Sequence, residues 1–190
     1  MTKNILLIGV GGQGTITASK VLTLGLVEAG YDVKMSEIHG MSQRGGSVVS
    51  QVRYGDKIES PVIEPGTADI VVAFEKMEAL RGLEYLREGG LIVVNDQEIE
   101  SVPIQMGKFD YPSDVIEILE SKARTIVVEA EKLAGELGNK RVTNMILLGT
   151  IIKGMELESI DWAKILKENT KAGFLDINLE AIEAGKKQLA

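Results

Sequence analysis

The residues nearest the amino terminus that could bind a ligand are three glycines with a characteristic spacing. Gly9, Gly11 and Gly14 follow the apolar residues 4–8, a predicted strand, and open a helical pattern. In a dinucleotide-binding fingerprint such glycines allow close approach of a ligand, while free amides at the helix start attract a phosphate. Glu37, near the end of the next predicted strand, could accept hydrogen bonds from a ribose. Close packing of a strand against a helix can require the same glycines, so nucleotide binding and packing both remain open here.

Two more residues of this turn, Gly12 and Gln13, complete the first set of candidates. Gln13 is predicted to project a polar side chain from the turn. Its amide can both donate and accept hydrogen bonds, so it could contact a partner subunit as readily as a cofactor. By itself, therefore, the residue favours neither function.

A second polar and glycine-rich segment spans residues 37–46, after the second predicted strand. We interpret the surrounding elements as a βαβ-like unit. Because loops at the carboxyl ends of parallel strands converge, this segment is predicted to lie beside the glycine turn. Its candidate binding residues are Glu37, His39, Ser42, Gln43 and Arg44. His39 is the only histidine and the chain has no cysteine, so a hydrogen bond within the loop is favoured over metal binding.

Arg44 is the best anion-binding group of this second segment. Its planar guanidinium suits a carboxylate or a phosphate, and Ser42 and Gln43 add neutral hydrogen-bonding groups. The alternative is an internal ion pair between Arg44 and Glu37 that fixes the loop. A site for an acidic ligand group and a purely structural ion pair therefore both remain open.

The elements that would position these candidates alternate between short β-branched runs and helical segments. This pattern is typical of an α/β fold, here Rossmann-like, with a mostly parallel sheet and helices on both faces. Strands are predicted at residues 4–8, 32–36, 47–54, 69–74, 91–94 and 125–128. A hairpin turn is predicted at Gly55 and Asp56, leading toward Ile58. After Asn144 the chain is predicted to be helical to its end, and the apolar residues 145–152 are predicted to lie in the core.

The composition narrows the possible functions. With 190 residues, no cysteine and a formal net charge of −7, the chain is predicted to form one domain without disulfides or thiolate-bound clusters. Nucleic-acid binding is disfavoured because lysine and arginine are scattered rather than clustered. No apolar run approaches the roughly 20 residues that span a bilayer, and the chain begins directly with a strand-like segment. We therefore expect a cytoplasmic protein without a metal site, whose partners are proteins or small molecules.

The two glycine-rich segments together resemble those of a known family. Residues 9–14, Gly-Val-Gly-Gly-Gln-Gly, followed by residues 40–46, Gly-Met-Ser-Gln-Arg-Gly-Gly, are similar to the gamma-type domain of 2-oxoacid:ferredoxin oxidoreductases. The similarity extends over nearly the whole chain, through residues 64–66, 68–70, 74–75, 95–96, 144 and 147–149. The order and length of these motifs are most similar to the indolepyruvate type.

The resemblance implies that residues 1–190 are a single pyruvate/ketoisovalerate oxidoreductase gamma-type domain, which is the small subunit of a complex. In that family a large partner subunit carries thiamine diphosphate and iron–sulfur clusters. The complex converts an arylpyruvate and coenzyme A to acyl-CoA, carbon dioxide and reduced ferredoxin. The resemblance therefore implies that this chain holds no cofactor alone, is inactive alone and needs no bound nicotinamide.

For the site, the resemblance implies no catalytic residue in this chain. The candidates would line a substrate or coenzyme A cavity, or contact the partner subunit. They are Gly11, Gly12, Gln13, Gly14, Glu37, His39, Ser42, Gln43 and Arg44. Three alternatives remain open, namely a gamma subunit acting on pyruvate, 2-oxoglutarate or branched-chain 2-oxoacids, an independent NAD(P)-binding oxidoreductase, and a nucleotide-sensing or scaffold module.

Overall fold

A six-stranded sheet with helices on both faces organises the chain, and the computed structural model describes residues 1–40, 46–171 and 173–189. The strands are β1 Lys3–Val10, β2 Asp32–His39, β3 Ser47–Gly55, β4 Ala68–Ala73, β5 Leu86–Asn95 and β6 Arg124–Val128. The helices within these ranges are α1 Thr15–Glu28, α2 Lys76–Gly82, α3 Val102–Gln105, α4 Val115–Lys122, α5 Ala130–Glu136, α6 Thr143–Gly154, α7 Trp162–Asn169 and α8 Leu175–Lys186. None of these helices is both long and apolar enough to cross a membrane.

The strand order is β2-β3-β1-β4-β5-β6. β1, β4, β5 and β6 are parallel neighbours, whereas β3 is antiparallel to both β1 and β2. In this register Ile5 of β1 lies between Val52 of β3 and Ile70 of β4. The predicted mostly parallel α/β sheet with a helical carboxyl-terminal part is confirmed.

Two apolar cores lie on opposite faces of the sheet. Ile5 and Leu7 pack on the face covered by α1, α5, α6, α7 and α8. Leu6 and Ile8 pack on the other face, with α2 and α4. Because successive strand residues point to opposite faces, an uninterrupted apolar strand such as β1 supplies both cores. The prediction that residues 145–152 lie in the core is also confirmed, since all of them are buried.

An antiparallel strand separates the two strands of the predicted βαβ-like unit. β1 and β2 are both antiparallel to β3, which lies between them, so they run in the same direction without pairing with each other. β3 is buried along most of its length, whereas β2 is partly exposed at the edge of the sheet. The inner position, covered on both faces, is therefore taken by the strand that carries the larger buried apolar surface.

The hairpin predicted at Gly55 and Asp56 is wrong for a related reason. Both edges of β3 are already paired, one with β1 and the other with β2, so a strand after Gly55 has no free edge of β3 to join. The chain instead continues without regular structure toward β4. Within this irregular stretch Ile58 is buried, and its backbone N–H donates to Oδ2 of Asp32 over 2.8 Å.

A crevice forms where the helices leave the sheet on opposite faces. β1 and β4 are adjacent and parallel, yet α1 packs on one face and α2 on the other. Such a switch point leaves an opening at the carboxyl edge of the sheet, which is where open α/β folds bind ligands. The glycine turn after β1 lies at this opening.

Candidate functional site

The glycine turn between β1 and α1 combines two different requirements. Gly12 and Gly14 have φ values of 105° and 83°, a region that other residues rarely adopt, and Gly14 immediately precedes α1. At Gly9 the requirement is space, because an added Cβ would lie 2.8 Å from Cβ of Phe74 at the end of β4. The turn therefore needs glycine for packing at one position and for backbone conformation at two others.

Gln13 folds back into the turn rather than projecting from it, so that prediction is wrong. Its Oε1 accepts a hydrogen bond from the backbone N–H of Val10 over 2.7 Å. Its Nε2 donates to the carbonyl oxygen of Phe74 and to Oε1 of Gln97, each over 2.7 Å. The three partners of the amide lie at or just beyond the ends of β1, β4 and β5. The side chain can bond to all of them because an amide both donates and accepts hydrogen bonds. Gln13 thus fixes the glycine turn to the carboxyl edge of the sheet.

Glu37 and His39 lie on the edge strand β2, on the side of the sheet that faces α1. Nε2 of His39 is 3.6 Å from Oε2 of Glu37. Among the described residues, the buried Oε1 of Glu37 and the buried Oγ of its neighbour Ser50 have no hydrogen-bond partner. In a dinucleotide fingerprint the acid ends the strand next to β1, whereas here β3 lies between. Glu37 therefore does not occupy the position of the ribose-binding acid.

The two ends of the second glycine-rich segment lie beside the glycine turn. The N–H of Gly11 donates to the carbonyl oxygen of Gly46 over 2.9 Å, and the N–H of Gly40 donates to that of Ser47 over 2.8 Å. Residues 40 and 46 are thus brought to the carboxyl edge of the sheet, as predicted. The candidates Ser42, Gln43 and Arg44 lie outside the described residues.

Two clefts flank the glycine turn. The first, here called the β2 cleft, has a volume of about 580 Å³ and lies between the first turn of α1, the end of β2 and the start of β3. The second, here called the basic cleft, has a volume of about 370 Å³. It lies between the glycine turn, the ends of β4 and β5 and the start of α6. Both clefts open at the carboxyl edge of the sheet.

The basic cleft is bordered by groups that suit an anion. The exposed Lys140 and Arg141 line it from the short 3-10 helix before α6. Asn144, only 8% exposed, lines it from the first turn of α6. The first turns of α1 and α6 contain no acidic side chain. The start of α1, which has no side-chain cap, therefore presents free amides and the positive end of its helix dipole, and Glu131 is an acidic residue of the same lining. This arrangement can bind a phosphate or a carboxylate.

Comparison with known proteins identifies the family. The family model described as pyruvate ferredoxin/flavodoxin oxidoreductase matches residues 4–188. The chain belongs to this family. Among its relatives, the indolepyruvate oxidoreductase subunit IorB of Pyrococcus horikoshii is 38% identical over 190 residues, which cover 97% of this chain and 94% of the relative.

Solved structures share the fold. The gamma subunit of a keto/oxoacid ferredoxin oxidoreductase from Geobacter sulfurreducens aligns with a TM-score of 0.73 at 19% identity, covering 100% of this chain and 97% of that one. The 2-oxoglutarate:ferredoxin oxidoreductase of Magnetococcus marinus, solved with 2-oxoglutarate, coenzyme A and succinyl-CoA bound, also gives a TM-score of 0.73, at 21% identity. This chain is covered to 98%, but it corresponds to only 31% of that longer chain.

Family membership confirms the resemblance that the two glycine-rich segments indicated, whereas most of the other residues that line the basic cleft were not predicted as site residues. Among them are Gln97, Lys140 and Arg141. A signal for the two cations was present, because Lys140 and Arg141 directly precede a helix, where the helix dipole disfavours positive charge. Cations at that position indicate that something other than helix stability requires them. Gln97 had no such signal, since its contact with Gln13 joins residues far apart in sequence.

Proposed function

We propose that this chain is the small subunit, subunit beta, of an indolepyruvate:ferredoxin oxidoreductase. The complex carries out oxidative decarboxylation of an arylpyruvate to acyl-CoA and reduces ferredoxin. The similarity to an indolepyruvate oxidoreductase subunit along nearly the full length of both chains carries this assignment. In this proposal residues 1–190 act as one domain of a cytoplasmic hetero-oligomer, without a catalytic residue and without activity on their own.

The cofactors of the reaction belong to the large partner subunit in this proposal. Thiamine diphosphate supplies the activation of the keto carbon, and iron–sulfur clusters supply one-electron transfer to ferredoxin. Thiolate-bound clusters do not fit this chain, because it has no cysteine. Among the described residues, no group of three or more histidines or acids could hold a metal ion. This chain instead forms a wall of the cavity and binds the part of the substrates that does not react.

We propose that the basic cleft takes an anionic group of coenzyme A. Its phosphates match the two cations Lys140 and Arg141 and the free amides at the start of α1. Ser42, Gln43 and Arg44 are proposed to extend the wall on the other side of the glycine turn, since His39 and Gly40, which precede them, line the β2 cleft. With His39 they would contact the substrate carboxylate, coenzyme A or a loop of the partner.

The position of Glu37 argues against the independent nicotinamide-dependent oxidoreductase. A ribose-binding acid belongs on the strand beside β1, and that position is occupied by β3. Of the three glycines that prompted this alternative, Gly9 is required for packing against Phe74 and Gly14 for its positive φ value. The function of the turn within a complex is therefore favoured.

The first experiment tests whether the chain is active alone. Purified chain is expected to show no coenzyme A-dependent reduction of a viologen dye with indolepyruvate, because it has no cluster ligands. Mixing with the large subunit should restore the activity. The same assay with pyruvate, 2-oxoglutarate and a branched-chain 2-oxoacid separates the substrate types. Turnover by the isolated chain would refute the proposal, and a preference for pyruvate would replace the indolepyruvate assignment.

The second experiment tests the basic cleft. Arg141→Ala should raise the KM for coenzyme A in the complex by about tenfold or more, because losing one charge-assisted hydrogen bond costs roughly 1.5 to 3 kcal/mol. Arg124→Ala is the matched control, since Arg124 is also exposed but begins β6 at the opposite edge of the sheet. An unchanged KM in Arg141→Ala, or an equal rise in the control, would remove coenzyme A from this cleft.

A further inference from the structure

Glu78 is a buried carboxylate that neither cleft contains. It lies in α2 and is only 3% exposed. Burial raises the pKa of this carboxyl above its ordinary value, while the hydrogen bond from Ser47 and the positive charge of Arg81 oppose the rise. Burying a carboxylate costs free energy of folding unless the carboxylate is paired and hydrogen-bonded. The partners of Glu78 therefore indicate what this buried carboxylate contributes.

Each oxygen of Glu78 has a different partner. Oε1 accepts a hydrogen bond from Nη1 of Arg81, one turn further along α2, over 2.5 Å. Oε2 accepts a hydrogen bond from Oγ of Ser47, the first residue of β3, over 2.6 Å. The second contact joins α2 on one face of the sheet to the point where β3 begins. This contact with Ser47, unlike the contact with Arg81, connects Glu78 to residues beside the glycine turn.

Ser47 is connected to both walls of the β2 cleft. Its carbonyl oxygen accepts the N–H of Gly40, at the end of β2. The preceding residue, Gly46, accepts the N–H of Gly11, in the glycine turn. Gly11 and Gly40 both line the β2 cleft. A shift of Ser47 would therefore move the two walls relative to each other.

We infer that Glu78 is a positioning residue, which holds Ser47 and thereby sets the placement of the glycine turn against the end of β2. Gln13 fixes the turn from the side of β4 and β5, and Glu78 fixes it from the side of β3. Neither side chain touches a reacting atom in this scheme. The functional part of the inference rests on the proposed function, in which the turn forms a wall of the coenzyme A cavity.

The structural part is tested on the full-length chain by native-state amide hydrogen exchange measured by NMR. Ser47→Ala removes the donor to Glu78 and should accelerate exchange at Gly11 and Gly40 about tenfold relative to central amides such as those of Leu7 and Val72. Glu78→Gln keeps an acceptor for Ser47, so it should accelerate exchange by roughly threefold or less. Ser121→Ala is the control, because among the described residues the exposed Ser121 bonds only to the nearby carbonyl of Ile118.

The functional part is tested on the reconstituted complex. Ser47→Ala should raise the KM for coenzyme A about threefold to tenfold with little change in kcat, since a displaced wall weakens binding rather than the chemical step. If all amides of Ser47→Ala, those of Leu7 and Val72 included, lose protection equally, Glu78 contributes only to global stability and the inference is wrong. If exchange accelerates locally while KM is unchanged, the positioning stands, and the placement of the turn in the cavity is refuted instead.

Discussion

Gly149→Ala is expected to destabilise the protein by about 3 kcal/mol, the upper part of the range for overpacked positions. A Cβ on Gly149 of α6 would lie 2.1 Å from the carbonyl oxygen of Ile182 in α8. The obstructing atom belongs to the backbone of another helix, so no side-chain rotation can relieve the clash. α6 and α8 would have to separate, and the apolar core on that face of the sheet would open.

The same contact requires a glycine on the other helix. A Cβ on Gly185 would lie 1.9 Å from the carbonyl oxygen of Ile146 in α6. The two glycines thus allow the backbones of α6 and α8 to come into contact. On each helix the glycine, which has no side chain, lies against a backbone carbonyl of the other helix. Gly185→Ala is expected to be as damaging as Gly149→Ala, because it forces the same separation.

Gly135→Ala in α5 provides the matched control for this prediction. A Cβ added at Gly135 would have no described atom of another residue within 4 Å beyond its own helix backbone and chain neighbours, so the methyl group meets open space. Alanine should then stabilise the helix by about 0.5 to 1 kcal/mol through its higher helix propensity. Urea unfolding of the three variants measures both effects. Equal midpoints for Gly149→Ala and Gly135→Ala would show that the helices do not require this close contact.

Glu75→Ala is expected to cost about 3 kcal/mol, because one buried donor and two partly buried donors lose their acceptor group and an unsatisfied buried donor costs about 1 to 3 kcal/mol. Oε2 of Glu75 caps α2 by accepting the N–H of Glu78 over 3.0 Å. Oε1 accepts the N–H of Ile99 over 3.2 Å and the hydroxyl of Tyr111. The carboxylate, only 1% exposed, therefore holds both ends of residues 99–111.

Thermal unfolding measures this loss. For a chain of this size each kcal/mol lowers Tm by roughly 2 to 4 °C, so a fall of about 6 °C or more is expected. Tyr111→Phe is the control, because it removes one of the three donors and leaves Glu75 in place, and it should cost about 1 kcal/mol. The hydroxyl of Tyr111 is held in its protonated, donating form, since burial and the neighbouring Glu75 raise its pKa. A Glu75→Ala variant as stable as Tyr111→Phe would contradict the assigned hydrogen bonds.

Features that depend on local pattern could be predicted from the amino-acid sequence. The apolar run of β1 predicted a strand buried on both faces, because alternate side chains such as Leu6 and Leu7 must find an apolar environment on each side. The glycine spacing predicted the turn into α1, since positive φ at Gly12 and Gly14 is a local requirement. The motif order also carried the family resemblance, which the match over residues 4–188 confirmed.

The neighbours of each element and the partners of polar side chains, by contrast, depend on the folded chain. β3 rather than β2 lies beside β1 because the choice depends on which strand buries more surface in the assembled sheet. Gln13 turns inward because Phe74 and Gln97, distant in sequence, present free groups at the same edge. Lys140 and Arg141 line the same cleft as the glycine turn only because folding brings the start of α6 beside the start of α1. Local pattern indicates the conformation of a segment, whereas a binding surface is formed from segments that only folding brings together.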